Sequence, residues 1–470
     1  MSRSDRLNRR NFLQGAAAAS AAWLTLGASG CASGEKQGFR LFDLRKEPAE
    51  LPPPPKPRDS YSDLRVAFIG AGGMGFTHVR DCAKLKVACP CFCDVDESKW
   101  AKARELYPDA KPYQDYRVML EKEAQNLDGV FVATPDHHHY PATILAMQMG
   151  KHVYTQKPLT HTPWEARQLT EAAAKYNVVT QMGNQGHAGE GWRRVVSVIR
   201  AGILGDIKDV HTWTDRPIWP QGIPRPEGED KVPANVNWDV WLGPAPVRPY
   251  KDKAYHTFNW RGWWDFGCGA LGDMGCHTMD GIFWALEPGC PSSVEPVTAS
   301  ENNNDAFPHS SVIKWTFPRR GLRPGFTSYW YDGGLMPNIP PIMEMGRRIR
   351  GTGNLFLGTK AAMLVQGDYG ESAVLIPETK RKEVGKLPQN LPSSPGHLEE
   401  WLMACVGDQP RDFPKSRFEY SGPLTETVLL GNVALRMNRR LEWDGRKFAF
   451  TNVPDANAML TKEYREGWKF

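Results

Sequence analysis

From residue 64 the chain reads Leu-Arg-Val-Ala-Phe-Ile-Gly-Ala-Gly-Gly-Met-Gly, a short apolar run that breaks into glycines and continues into a helix-compatible segment. Gly70, Gly72 and Gly75 have a spacing with a physical meaning: the first permits a tight turn, the second lets backbone approach a pyrophosphate, and the third lets a helix pack on a strand. Gly73 and Met74 complete the turn. A second apolar run, residues 87–93, ends at Asp94, 24 residues after Gly70, where a carboxylate accepts hydrogen bonds from ribose hydroxyls and repels a 2′-phosphate. NAD is therefore expected rather than NADP. Much later in the chain, Asp273 and His277 are four residues apart and share one face if their segment is helical, with Gly272 and Gly275 allowing close approach of a ligand. Lys157, followed by Pro158, stands at the end of a strand-like run.

Alternation of short apolar runs with helical stretches must position these groups. Runs at residues 129–133, 152–155 and 178–182 alternate with helical patterns at 116–125, 140–149 and 163–176, the last opened by Thr162 as cap and Pro163 as first helical residue. Such repetition predicts an α/β fold with a doubly wound parallel sheet and ligands at the strand C-terminal ends. Thr134, Pro135, Gln156 and Lys157 lie at such ends, and Asn184 and Gln185 follow the sixth strand within reach of cofactor or substrate. The triplet His137, His138, His139 invites a metal reading, but adjacent histidines cannot all face one ion and no carboxylate or thiolate has ligand spacing. No metal is expected. His138 is expected to line the cleft near a nicotinamide.

The glycine turn, Ala133-Thr134-Pro135 with His137–His139, Lys157-Pro158, and the run from Gly272 through Asp273 and His277 to Asp280, in that order, resemble the glucose-fructose oxidoreductase, inositol dehydrogenase and rhizopine-catabolism (Gfo/Idh/MocA) family. The resemblance spans about residues 62–445. It implies a Rossmann domain followed by an α/β domain with a large open, mostly antiparallel sheet that often makes oligomer contacts. It also implies hydride transfer at a sugar or polyol carbon. Family members usually carry Glu before the Lys-Pro pair; Gln156 stands there, removing a negative charge beside Lys157. Oxidising an alcohol requires a base for the hydroxyl proton and a cation for the developing alkoxide, roles that Lys157 and His277 can fill. Asp273 can orient a substrate hydroxyl or join the proton relay.

The rest of the chain sets the context. Its 470 residues, 41% hydrophobic, exceed one ordinary domain. The expected division is an export signal at 1–30, a Pro-rich linker at 31–61, the NAD-binding domain at 62–185, the substrate domain at 186–455 and a tail at 456–470. Arg9 and Arg10 before Phe12 and Leu13, with an Ala-rich stretch too short to span a bilayer, resemble a twin-arginine signal and imply a periplasmic location. Cys31 is a candidate for lipidation. The net charge of +5 is concentrated in this leader, so nothing suggests nucleic acid. The nine cysteines show no zinc-type spacing, and Cys89, Cys91 and Cys93 alternate as buried thiols on one strand face would.

Nine tryptophans between residues 192 and 284 offer rings suited to sugar faces, although any single one is more commonly a core anchor. Residues 216–256 read as a long irregular segment over the cleft. Strands are expected at 311–317, 325–330, 354–357, 363–366 and 373–376, and helices at 399–406 and 424–439 complete that sheet. The readings that follow are a carbohydrate oxidoreductase, a redox-neutral glycosidase or lyase working through a transient keto-sugar, and a non-catalytic carbohydrate-binding protein that retains NAD. The small-molecule partner in each is a sugar or polyol, and a homo-oligomer is expected.

Overall fold

The computed structural model describes residues 51–469 apart from 302, 345 and 350. The leader, Cys31 and the first part of the Pro-rich segment lie outside the described residues. Residues 51–60 form no helix or strand, and Tyr61 is buried where the chain meets the first sheet.

Six strands form that sheet: β1 (Arg65–Ile69), β2 (Ala88–Cys93), β3 (Lys111–Tyr113), β4 (Gly129–Val132), β5 (His152–Thr155) and β6 (Thr180–Met182). All pair in parallel in the order β3-β2-β1-β4-β5-β6, so the order reverses beside β1 and opens a crevice at the strand C-termini. The connections are α1 (Gly73–Lys84), α2 (Trp100–Leu106), α3 (Tyr116–Glu123), α4 (His139–Gln148) and α5 (Pro163–Tyr176). At α5 the expected cap is present as a reciprocal pair: Thr162 accepts from the Glu165 backbone, and Glu165 accepts from the Thr162 backbone.

The second sheet has nine strands in the order β13-β12-β11-β7-β10-β9-β8-β14-β15. They are β7 (Ile207–Trp213), β8 (Ser293–Ala299), β9 (Ser311–Phe317), β10 (Phe326–Tyr331), β11 (Gly353–Gly358), β12 (Ala362–Gln366), β13 (Ser372–Ile376), β14 (Leu441–Asp444) and β15 (Ala449–Phe450). Only β7 and β10 pair in parallel; the other pairings are antiparallel. The helices are α6 (Glu190–Arg200), α7 (Trp238–Leu242), α8 (Gly269–Thr278), α9 (Asp280–Leu286), α10 (Glu378–Val384), α11 (His397–Cys405) and α12 (Phe418–Met437). This is the predicted class, a Rossmann-type parallel sheet followed by an α/β domain with a large, mostly antiparallel sheet.

Two placements differ from the sequence reading. The helix expected at 399–406 is α11, and it packs on the first sheet instead of the second: Trp401 is fully buried against Phe131 and donates to the Val153 carbonyl at 3.0 Å. Gly129 leaves room for it, since a Cβ there would press on the indole. The helix expected from 424 begins six residues earlier, at Phe418, and carries Pro423 in its second turn at the cost of one i→i−4 hydrogen bond. α12 joins the domains through a buried Arg167–Glu426 pair at 2.8 Å to α5.

Between β7 and α8 the chain is largely irregular, as residues 216–256 suggested, and it lies against the first domain. Asp96 bridges Val236, the Glu97 amide donates to the Asn235 carbonyl at 2.9 Å, and Asn237 donates to the Val95 carbonyl at 2.9 Å. Asp96 also accepts from His256 at 3.0 Å and Asn235 at 2.6 Å. Most tryptophans here are core anchors: Trp213, Trp241 and Trp263 are almost wholly buried, while Trp241 and Trp260 also reach the cavity.

Candidate active site

A cavity of about 750 Å³ lies at the C-terminal ends of β1, β2, β4 and β5 and is closed on its far side by Trp241, His256, Phe258, Trp260 and Arg261 from the irregular segment. Its floor is the glycine turn. Gly70 sits at φ +92°, and a Cβ on it would overlap the Ala133 carbonyl; a Cβ on Gly75 would overlap the Gly70 carbonyl. Gly75 therefore serves helix packing and does not itself line the cavity, whereas Gly70, Gly72, Gly73 and Met74 do. α1 begins there with Gly72 as a cap that offers no side chain, so its first amides face the cavity without a side-chain acceptor, the arrangement that receives a phosphate. Thr134 also lines the cavity, and its buried hydroxyl has no partner among the described residues. These features fit a dinucleotide.

Asp94 closes the β2 end of the floor. One carboxylate oxygen accepts from the Ala71 amide at 2.9 Å and the other from the Asp96 amide at 3.0 Å, while burial pushes its pKa up. Each oxygen keeps a further lone pair for a ribose hydroxyl. Asp94→Ala is expected to narrow the preference for NAD over NADP, read as the ratio of their dissociation constants. An unchanged ratio would take Asp94 out of cofactor choice.

At the opposite end, the Lys157 ammonium donates to the Asp273 carbonyl at 2.6 Å and to its carboxylate at 2.9 Å. Arg261 donates to the same carboxylate at 3.1 Å, and its guanidinium lies over the Trp260 and Phe258 rings. Burial alone would raise the Asp273 pKa, but Lys157 and Arg261 hold it well below the usual carboxylate range. Lys157 and Asp273 are thus brought together, as their chemistry requires, and Asp273 and His277 do share α8.

His277 stands elsewhere than expected. It does not line this cavity; one turn beyond Asp273, its ring meets Tyr369 edge-on at 5.1 Å. Its Nδ1 is buried with no partner among the described residues, and burial, then Lys157, lower its pKa well below the usual histidine value. Gln185 is likewise off the cavity wall, its amide near the Met74 sulfur at 3.9 Å. Gln156 does line the cavity, paired at 2.6 Å with the buried His78, whose pKa falls to about 4. A neutral imidazole there suits an uncharged amide partner.

The histidine triplet is built into the frame. His138 lines the cavity as expected, with Nε2 2.8 Å from the Trp241 carbonyl, and His137 Nε2 lies 3.0 Å from the same oxygen. His139 spans the Pro158 and Thr134 carbonyls at 2.7 and 2.9 Å, tying the Lys157 loop to the Thr134 loop. Desolvation lowers all three, His138 to about 3 and His139 to about 4. Pro135 completes the wall between them. Among the cavity residues to which the sequence assigned no role are an acid and an arginine. Asp136 directly follows Thr134-Pro135, and Arg261 sits inside Trp260-Arg261-Gly262-Trp263, where a cation among tryptophans was the available signal.

Residues 64–184 match the family described as "Oxidoreductase family, NAD-binding Rossmann fold", and residues 216–320 match its "C-terminal alpha/beta domain". Over 217 residues the chain is 27% identical to a "Glycosyl hydrolase family 109 protein 1" of Shewanella sp. and 26% identical to an "Alpha-N-acetylgalactosaminidase" of Shewanella oneidensis, in each case covering 43% of this chain and 44% of the relative. The chain thus aligns with less than half the length of these curated relatives. Among solved structures, the WlbA dehydrogenase of Chromobacterium violaceum, in complex with NADH and UDP-GlcNAcA, has a TM-score of 0.58 at 18% identity over 84% of this chain and 99% of that one. GenD2 of gentamicin A biosynthesis, in complex with NAD, has a TM-score of 0.55 at 17% identity over 84% of this chain and 100% of that one. The two matched domains, in the order that the two sheets follow, place the chain in the Gfo/Idh/MocA oxidoreductase family, with a first domain of the NAD-binding kind.

Proposed function

We propose that the protein is a carbohydrate oxidoreductase that retains its dinucleotide and exchanges a hydride with a carbon of a sugar or polyol. The observation that carries this reading is the single cavity with a glycine cradle at one end and the Lys157–Asp273–Arg261 cluster at the other. The dinucleotide, when bound, supplies the hydride acceptor and donor. Gly70, Gly72, Gly73, Met74, Asp94, Thr134, Pro135, His138 and Gln156 would hold it.

The chain's own groups handle the substrate hydroxyl. Lys157, fixed by two oxygens of Asp273, presents its remaining N–H to an alcohol oxygen and steadies the charge that grows there as the proton leaves. His277, kept neutral by burial but standing off the cavity wall one turn beyond Asp273, is the group able to accept that proton through an intervening hydroxyl. Arg261 and Lys157 together keep Asp273 ionised, so Asp273 accepts hydrogen bonds and orients the sugar.

A second reading is favoured by the relatives named as glycosidases: the same site oxidises a sugar transiently, releases a substituent from the neighbouring carbon and then restores the hydroxyl. Both readings need a cofactor that stays. The leader supports twin-arginine export and a periplasmic location, where exchange with the cytoplasmic cofactor pool is lost; lipidation of Cys31 and assembly of like chains through the open sheet belong to the same proposal.

Protein purified without added cofactor is expected to carry a stoichiometric dinucleotide through gel filtration and to act on sugars without supplementation. Mass spectrometry of the denatured protein reads the first, and a screen of sugars and glycosides the second. Net keto-sugar would support oxidation, and a released aglycone with no net change in cofactor oxidation state would support the second reading. Empty protein that consumes added NAD stoichiometrically would sink cofactor retention.

A further inference from the structure

The cavity contains a second carboxyl group that the chemistry above leaves unused. Asp136 opens the turn after β4, between Pro135 and the histidine triplet, and lines the same cavity as Lys157, Arg261 and Asp273. It is only 3% exposed. Its surroundings differ sharply from those of Asp273. Asp273 is clamped by two cations, while Asp136 meets the Cys268 thiol and feels Arg261, Lys157 and Asp273 only at a distance. Burial outweighs the two cations and, with Asp273 acting in the same sense, raises its pKa to about 7, whereas Asp273 is held far down. Two carboxyls in one pocket whose environments drive them apart are the arrangement that divides labour between a fixed anion and a proton carrier. A buried carboxyl with a thiol as its hydrogen-bond partner and no cation in contact is costly to keep.

We propose that Asp136 is a second catalytic acid–base residue of this site, removing a proton from, and returning it to, the substrate carbon next to the one that is oxidised. This rests on the transient ketone of the proposed function. Once the alcohol is a ketone, the C–H bond on the neighbouring carbon breaks. Its electron pair moves into an enolate whose oxygen faces Lys157, and the proton passes to the Asp136 carboxylate, giving a carboxylic acid. The reverse step restores both groups, so no oxidant or further reactant is consumed. Two proton-handling groups are needed because the hydroxyl proton and the carbon-bound proton leave different atoms.

The test uses the holoenzyme, deuterium oxide and a panel of methyl hexopyranosides. Reduction of the bound nicotinamide is followed by its near-ultraviolet absorbance, and deuterium at the neighbouring carbon of recovered sugar by NMR. Asp136→Asn is expected to keep nicotinamide reduction within a few-fold of wild type and to lose deuterium incorporation by about 10²-fold, the size of one acid–base group. Wild-type incorporation should rise with pH through an inflection near neutrality that the variant lacks, because the carboxylate is the form that accepts the proton. Infrared spectra give a reading without turnover: the raised Asp136 should contribute a carboxylic-acid band that titrates near neutrality and that Asp136→Asn removes. Asp136→Glu should recover part of the exchange, and it becomes the deciding variant if Asp136→Asn does not fold. Reduction with undiminished incorporation in Asp136→Asn, loss of both steps together, or no exchange in Asp136→Glu would each overturn the assignment. Absence of nicotinamide reduction in wild type with every glycoside would instead overturn the reading on which it rests, and the assignment with it.

Discussion

Lys157→Ala is expected to lower turnover by about 10²-fold or more, with the dinucleotide still bound, because it deletes one positioned charge and donor at the reacting oxygen. The loss has a second component. Asp273 owes its low pKa to Lys157 and Arg261, and with Lys157 gone a buried carboxylate keeps only Arg261 at 3.1 Å. Its pKa should climb, and an oxygen that accepted hydrogen bonds from a sugar should take up a proton at moderately acid pH. The ratio of variant to wild-type turnover should therefore fall as pH decreases, over the range in which both proteins stay folded. Lys157→Arg keeps the charge but not the compact ammonium that reaches both Asp273 oxygens, so it should recover little. Steady-state kinetics of the three proteins across pH, with bound dinucleotide measured in each, checks this. Turnover near wild type in Lys157→Ala would remove Lys157 from the mechanism.

Loss of the folded state in mild acid is the second large effect. His78, His137, His138, His139, His277 and His397 are buried, and burial lowers all six below the usual value of 6.5, to about 4 for His78, His139 and His397 and about 3 for His138. A histidine whose folded pKa is depressed stays neutral in the native protein while the unfolded chain binds a proton. Stability is thus fully present above pH 6.5 and is lost as pH falls toward the folded pKa. Asp136 and Asp332 act in the opposite sense, since their raised folded pKa lets the native state hold protons that the unfolded chain releases above about 4. The lowered histidines outnumber these two acids, so the unfolded chain takes up more protons than the native one as pH falls, and against a total stability of about 5–15 kcal/mol that loss is large. Cooperative unfolding by circular dichroism is expected between about pH 6 and 4. A native spectrum retained at pH 4 would show that these imidazoles find water or proton acceptors.

Much of the first sheet was legible in the sequence because its strands are apolar and punctuated. The run ending at Gly70, the strand His152–Thr155 and the capped Pro163 helix all stand where they were expected. β3 was missed because three residues, Lys-Pro-Tyr, carry no period. β7, central in the second sheet, was missed because its sequence mixes polar residues at buried positions: Thr212 is fully buried and bonds Asn354 on β11 at 2.7 Å. β8 contains Pro296, where the register to β9 shifts.

At the site, Lys157 and Asp273 were found because a lysine at a strand end and a carboxylate on a glycine-flanked helix announce themselves. Asp136 was passed over because its spacing says nothing; only its burial distinguishes it from a solvated residue in a loop. The displacement of His277 is a matter of helix geometry. A shift of four residues advances the side chain about 6 Å along the axis, enough to leave a pocket whose wall already ends at Asp273.

The irregular segment between β7 and α8 ties two traits into one inheritance. Asn235 and His256 fasten it to Asp96 at one end of the cavity, and Arg261, a few residues on, holds the carboxylate of Asp273 at the other. Drift that reshapes this segment to admit a new sugar must also loosen or tighten the wall around the dinucleotide. Descendants that broaden their diet should be the ones that begin to leak cofactor, and those confined where none can be replaced should be the most conservative in what they consume.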